Sequence, residues 1–197
     1  MLTAWGYEVD GSSIPPLLSV EDFISMTGGK YASDYRVEPA VLAASQAIRN
    51  ACGWHISPSL ECTAHLTADG KLCKLQANAV TAVESVSDDG TALDSGDYEW
   101  RRDGLIRRTD SREWSSGWDA IEVSYTAGYD VSVVPDLAEA VRAIAEGVIS
   151  VAAGVNSESA DGVSISYSAN ASSIAAALTE QQRAALAPYK LVSAHAA

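Results

Sequence analysis

Two cysteine–histidine pairs carry the sharpest chemistry in this sequence: Cys52 with His55, and Cys62 with His65, each separated by two residues. Cysteine and histidine together can fill a tetrahedral zinc site. Strand geometry argues against it. Cys62 and His65 fall in a run read as β, where residues three apart point to opposite faces. Cys52 closes a helical pattern, and small buried thiols are common in cores. Cys52, Cys62 and Cys73 are therefore expected as buried hydrophobes. An odd count without a CxxC pair also gives no disulfide framework.

Catalytic constellations are weak. The chain has no GxSxG elbow, no phosphate-cradling loop and no HExxH. It has three histidines, one of them His195 near its end, so acid–base work falls to carboxylates. Asp88-Asp89 is the obvious pair, but it precedes Gly90, where aspartate is expected for turn geometry alone. No catalytic residue, metal ligand or cofactor is assigned. A metal-dependent or carboxylate hydrolase with a β accessory unit stays as an alternative reading.

One cluster stands out against the charge background. Arg101, Arg102, Arg107, Arg108 and Arg112 lie within twelve positions, in a chain with 26 acidic and 13 basic residues and a formal charge of −13. Two explanations compete: a solvated hairpin with Asp103 and Asp110 as local partners, or a contact with an acidic surface on a partner or a second copy. Arginine suits the latter because its planar fork pairs bidentately with carboxylates. Trp100, Trp114 and Trp118 fall in the same region. Core packing is the default for them, with interface anchoring by Trp100 and Trp114 as the alternative. The overall acidity disfavours ordinary binding to nucleic-acid phosphate.

Elements that position these residues follow from hydrophobic period and caps. The first 18 residues, with Gly6, Gly11, Pro15 and Pro16, read as an irregular arm. Ser19 caps a short helix from Val20 to Thr27, with Glu21 and Asp22 in its first turn. A second helix begins near Glu38-Pro39 and ends at Gly53. From Trp54 the period changes. Leu60 to Asn78 predicts a hairpin around a type I′ turn at Asp69-Gly70, with Leu66 facing Cys73, Ala64 facing Leu75 and Cys62 facing Ala77. Further strands are predicted at Val80–Val86, Tyr98–Arg102, Leu105–Thr109 and around Ile121, Val123 and Tyr125. Helix returns at Pro135 and runs to Val151, its apolar stripe formed by Leu137, Val141, Ile144, Ala145, Val148 and Ile149. Residues 153–173 read as a loop, or as a strand at Val163, Ile165 and Tyr167 that needs a partner. Thr179 and Gln182 predict a capping box on a last helix that ends at Pro188. The fold class is thus α+β: a small bundle of about four helices, residues 1–54 and 128–197, with an antiparallel β unit, residues 55–127, inserted.

No stretch reaches the roughly 18 apolar residues of a membrane span. The start, MLTAWGYEVDGSS, lacks the basic and apolar regions of a signal peptide, so folding in a reducing cytoplasm is expected.

The order of segments resembles a known family. Trp54 closes a helix, and a β stretch carries Val83-Glu84-Ser85-Val86, Asp89-Gly90 and Asp97-Tyr98-Glu99-Trp100. Val123-Ser124-Tyr125-Thr126-Ala127-Gly128-Tyr129-Asp130 follows, then Pro135-Asp136-Leu137 opens a helix with Ala140-Val141. This is similar to the head–tail connector (adaptor) proteins of tailed bacteriophages and prophages, over residues 19–152, with a weaker echo at Leu186 to Lys190. The resemblance implies a non-enzymatic homo-oligomeric ring in the virion neck, built in the bacterial cytoplasm. It further implies a portal protein on one side, a tail-side stopper or terminator on the other, and DNA passing through the ring. On that reading Asp136, Glu139 and Glu146 are candidate channel-lining residues, and Pro188, Tyr189 and Lys190 are candidates for portal docking. A tail or cell-surface binding module built on the β unit is a further alternative.

Overall fold

A computed structural model describes residues 1–110, 112–152, 157–160, 163–166 and 178–191. Its internal contacts divide the chain into two compact units. One comprises Met1–Pro15, Gly53–Asp130 and the chain from Tyr189 on, and the other comprises Pro16–Cys52 and Val131–Pro188.

The second unit is mainly helical. Its α1 (Val20–Met26) is capped by Ser19, whose hydroxyl accepts the Asp22 N–H at 2.9 Å, and α2 (Val37–Cys52) packs against both α1 and α3 (Pro135–Ala152). The packed faces are apolar: Val37, Ala40, Val41, Ala44, Ala47 and Ile48 from α2, and Leu137, Val141, Ala145 and Ile149 of the stripe predicted for α3, are all buried. Arg36 ties the start of α2 to α3, donating to the Ile149 carbonyl at 3.3 Å while its fork grips Asp34 at 2.6 and 2.9 Å. That grip holds the Asp34 carboxyl down at about 2. At the other end, α4 (Glu180–Leu186) carries the full capping box of Thr179 and Gln182. Between α3 and α4, β9 (Ser157–Ala160) and β10 (Val163–Ser166) form an antiparallel hairpin, so the strand expected around Val163 finds its partner within the same segment. The other expectations for residues 153–177 lie outside the described residues.

The first unit is β, and every strand pair in it is antiparallel. A five-stranded sheet has the order β1-β2-β8-β4-β5 and a three-stranded sheet the order β3-β7-β6. The strands of the first sheet are β1 (Tyr7–Val9), β2 (Leu60–Leu66), β4 (Val80–Asp88), β5 (Thr91–Ala92) and β8 (Ile121–Ala127). Those of the second are β3 (Leu72–Lys74), β6 (Tyr98–Trp100) and β7 (Leu105–Arg108). Ile121, Val123, Tyr125 and Ala127 on the central strand β8 are all buried, which is the period-two pattern of the sequence. The Asp89-Gly90 link joins Asp88 to Thr91, and its two residues sit at φ +50 and +75. Both central positions at positive φ is what a type I′ hairpin turn requires.

Two expectations are corrected here. The residues read as an irregular arm contain β1, an edge strand pairing Tyr7 with Ala64 and Val9 with Cys62. The predicted β2–β3 hairpin does not form. Asp69 pairs with Leu72, so the two-residue loop is Gly70-Lys71, one position later than expected, with Gly70 alone at positive φ (+61). Beyond that bridge the arms part. β2 runs between β1 and β8, while β3 leaves for the other sheet, where Cys73 faces Ile106 rather than Leu66. Cys62 and Cys73 are nonetheless inward, each 3% exposed, because their period was right even though their partners were not.

Candidate assembly surfaces

The Tyr125–Asp130 segment explains itself once its neighbours are placed. Gly128 sits at φ +121, and a Cβ there would lie 2.3 Å from the Pro58 carbonyl oxygen and 2.9 Å from His55 Nε2. Only glycine fits that approach. Tyr129 N–H then donates to the Ile56 carbonyl at 2.8 Å, and the Ser57 hydroxyl donates to the Tyr129 carbonyl at 2.9 Å. His55 is fully buried beneath this junction. Its Nε2 lies 3.0 Å from the Ala127 carbonyl, which can only accept, so Nε2 carries the proton and Nδ1 accepts from the Tyr7 hydroxyl at 2.8 Å. The same hydroxyl accepts the His55 backbone N–H at 3.1 Å. His55 is therefore a structural cross-link between β1, the segment after Trp54 and the end of β8.

The other members of the two cysteine–histidine pairs are dispersed. Cys52 is buried in the helical unit with its thiol 3.9 Å from the Leu186 carbonyl. His65 is exposed and lies opposite Glu122 at 3.9 Å, while Cys62, three residues away, is buried on the other face. Among the described residues no cluster of three or more potential metal ligands forms. Burial pushes the Cys62 and Cys73 thiols up to about 12, so neither is a ready nucleophile or ligand.

The arginine cluster splits into two populations. Arg101, Arg102, Arg107 and Arg112 are exposed. Arg101 pairs with Asp103 at 3.0 Å, Arg107 with Glu99, and Arg112 with Asp110 at 3.3 Å; Arg102 forms no ion pair among the described residues. Arg108, expected on the same contact surface, is instead 6% exposed. It reaches Asp110 at 2.8 and 2.9 Å and Asp88 at 3.0 Å, and stacks over the Trp114 ring at 5.4 Å. Its position on β7 decides this: Arg108 shares the inner face with Ile106, while Arg107 between them faces out. The Arg108 fork holds the Asp110 carboxyl at about 2.

Trp114 needs the same correction. It is 4% exposed, with its indole N–H on the Lys71 carbonyl at 2.9 Å, so it anchors the loop after β7 to the start of β3 instead of facing a partner. Trp100 is 37% exposed and Trp118, for which core packing is likewise the default expectation, is 93% exposed.

On α3, Asp136 and Glu139 are exposed and Glu146 is half-buried. Arg142 pairs with both Glu139 and Glu146, at the i+3 and i+4 spacing of one helix face, and draws the Glu139 carboxyl below its usual range. That face is consequently closer to neutral than the three carboxylates alone suggest.

At the chain's far end, Pro188 and Lys190 are exposed, but Tyr189 is 8% exposed and serves as an anchor rather than a docking residue. Its carbonyl accepts the Trp54 indole N–H at 2.6 Å, and its ring meets Tyr129 edge-on at 5.5 Å. Asn78 Nδ2 donates to the Lys190 carbonyl at 2.5 Å. Sequence reasoning missed this latch of Trp54, Tyr129 and Tyr189. The only hint was that three aromatic residues flank the segment junctions at Gly53, Asp130 and Pro188.

A mainly helical unit and an antiparallel β unit make this an α+β protein. A family model described as head completion protein matches residues 16–192, and the chain belongs to that family. No curated protein matches it. Among solved structures, it is similar to a chain from the neck of an empty gene transfer agent particle, computed with C6 symmetry, at 19% identity and a TM-score of 0.62, covering 95% of this chain and 96% of the other. A chain from the neck of a native gene transfer agent particle, computed with C12 symmetry, aligns at 18% identity and a TM-score of 0.60, covering 94% and 96%. A third, from the virion of a native gene transfer agent particle, aligns at 19% identity and a TM-score of 0.57, covering 95% and 96%.

Proposed function

We propose that this chain is a non-enzymatic connector of the particle neck, forming a homo-oligomeric ring between a portal protein and a tail-side stopper or terminator, through which DNA passes. The observation that carries this reading is the head completion family match over residues 16–192, supported by the likeness in fold to chains of particle necks computed with C12 and C6 symmetry. Assembly takes place in the bacterial cytoplasm, and the finished protein resides in the virion. Of the carboxylate pair weighed for a hydrolase, Asp88 is tied to Arg108 at 3.0 Å.

Within this proposal α3 is the lining element, with Asp136, Glu139 and Glu146 toward the channel. Arg142 is spent on Glu139 and Glu146, so no unpaired guanidinium on this helix grips the passing phosphates. Pro188 and Lys190 are the portal-facing residues, held in place by the anchored Tyr189 between them.

The test is genetic and structural. Particles made without this chain should accumulate as DNA-containing heads and unjoined tails, and supplying the chain should restore joining. Electron microscopy of the purified protein mixed with portal should show rings seated on the portal. Heads that join tails normally without the chain refute the connector role.

A further inference from the structure

The β unit has two outward surfaces that differ in charge. The first is the solvent face of the five-stranded sheet. β1, β2 and β8 turn Val9, Cys62 and Tyr125 inward, which leaves Glu8, Thr63 and Ser124 in register on the outside. Glu61 lies opposite Thr126 on the same face, and Glu84 sits where the β4–β8 register shifts, accepting the Thr126 hydroxyl at 2.7 Å. Asp10 follows Val9 at the sheet edge. A cavity of about 250 Å³ opens among Met1, Glu8, Asp10, Glu61 and Glu84, with the Met1 amino group donating to the Val9 carbonyl at 2.6 Å. None of these four carboxylates forms an ion pair with a Lys, Arg or His side chain among the described residues.

The second surface is the solvent face and tip of the three-stranded sheet. Arg107 lies across from Leu72 on one side and Glu99 on the other, Arg101 and Arg102 follow β6, and Leu72 is 43% exposed. Arg101 and Arg107 pair with Asp103 and Glu99 on this surface, so Arg102 brings the guanidinium that forms no ion pair among the described residues, and Leu72 on the edge strand β3 adds an exposed apolar side chain.

Resting on the ring reading above, we infer that the acidic sheet face around Glu8, Asp10, Glu61 and Glu84 receives the Arg102–Arg107 end of the three-stranded sheet from a neighbouring copy of this chain. Two features point to a second copy as the occupant. The charges are complementary, and both surfaces belong to one chain, which is what a closed head-to-tail ring needs: two unlike patches per subunit. Contact through the face is also favoured over strand addition. The edge of β1 is already occupied, with Thr3 N–H on the Tyr7 carbonyl at 2.8 Å and Val9 N–H on the Met1 carbonyl at 2.9 Å, while β5 at the opposite edge is only two residues long. Guanidinium is the matching group because its five donors can satisfy several carboxylate oxygens at once.

The experiment uses the full chain and three variants: Glu61→Lys with Glu84→Lys, Arg102→Glu with Arg107→Glu, and all four changes together. All substituted residues are exposed, and Arg108 is left intact because it is buried. Oligomer mass is followed by native mass spectrometry and sedimentation across protein and salt concentration, with thermal unfolding to confirm folding. Each two-site reversal should weaken ring formation on the order of tenfold or more, the weakening should shrink as salt rises, and the four-site swap should recover most of the loss. Wild-type rings that the folded two-site variants form equally well overturn the contact while leaving the ring intact. A wild-type chain that forms no ring, alone or on portal, overturns the ring reading and this contact with it. Loss in the two-site variants without recovery in the four-site swap overturns the pairing of these two surfaces.

Discussion

Arg108→Met tests the reading of the buried charge network most directly. Methionine keeps a flexible chain of similar length over Trp114 but removes all three ionic hydrogen bonds, at 2.8, 2.9 and 3.0 Å. The Asp88 side chain is 10% exposed and Asp110 is 30% exposed, so the two partners are stranded unequally. Breaking a buried pair by removing one member costs about 3–5 kcal/mol, mostly because the other charge is left behind. The lower end applies here: Asp110 can rehydrate, and Asp88 keeps the Ser115 N–H at 3.1 Å. A loss of about 3 kcal/mol is a large share of a typical stability of ~5–15 kcal/mol, and corresponds to a fall in Tm of roughly 10 °C for a chain of this size. Urea and thermal unfolding, followed by tryptophan fluorescence and circular dichroism, read both. Asp110 adds a pH signature. Its folded pKa, about 2, lies below its ordinary value of 3.8, so its contribution is present above pH ~4 and disappears as pH falls toward 2. Arg108→Met should flatten that acid limb. Converting Asp88 and Asp110 to Asn in the same background should recover part of the loss, because no unpaired charge then remains. A Tm within about 2 °C of wild type for Arg108→Met would refute the view that this guanidinium organises the β unit.

Gly128→Ala should destabilise the β unit by roughly 3 kcal/mol or more, since the new methyl meets the Pro58 carbonyl and the φ of +121 is strained for alanine; chemical denaturation reads it, and a neutral result contradicts the close approach. Cys62 and Cys73, with thiols raised to about 12, should resist alkylation at neutral pH in the folded protein and react quickly in urea; mass spectrometry of labelled peptides distinguishes this from exposed thiols.

Local order in this protein is legible from residue types alone. Ser19 before Val20 and Thr179 with Gln182 mark helix starts because their side chains satisfy orphan N–H groups within one turn, and the structure shows those bonds. The alternation on β8 and the inward cysteines follow from the two-residue period of a strand. Asp89-Gly90 turns because two consecutive positive φ values favour those residues. What lies across each element is another matter. Asp69-Gly70 is an equally good turn signal, yet β2 and β3 separate: β2 takes β1 and β8 as partners, and Gly70 and Lys71 give their carbonyls to Trp114. Period assigns a face but names no partner, because many strands present the same alternation. Arg108 and Arg107 are the same residue type one position apart, and only the packing of β7 makes one a buried cross-link and the other a surface charge. Tyr189 likewise looks like tail in the sequence and becomes an anchor only because Trp54 and Tyr129, 135 and 60 positions away, converge on it in the folded chain. Such contacts are chosen by global packing, where burying an aromatic ring and satisfying its hydrogen bond outweigh any local preference of the segment that carries it.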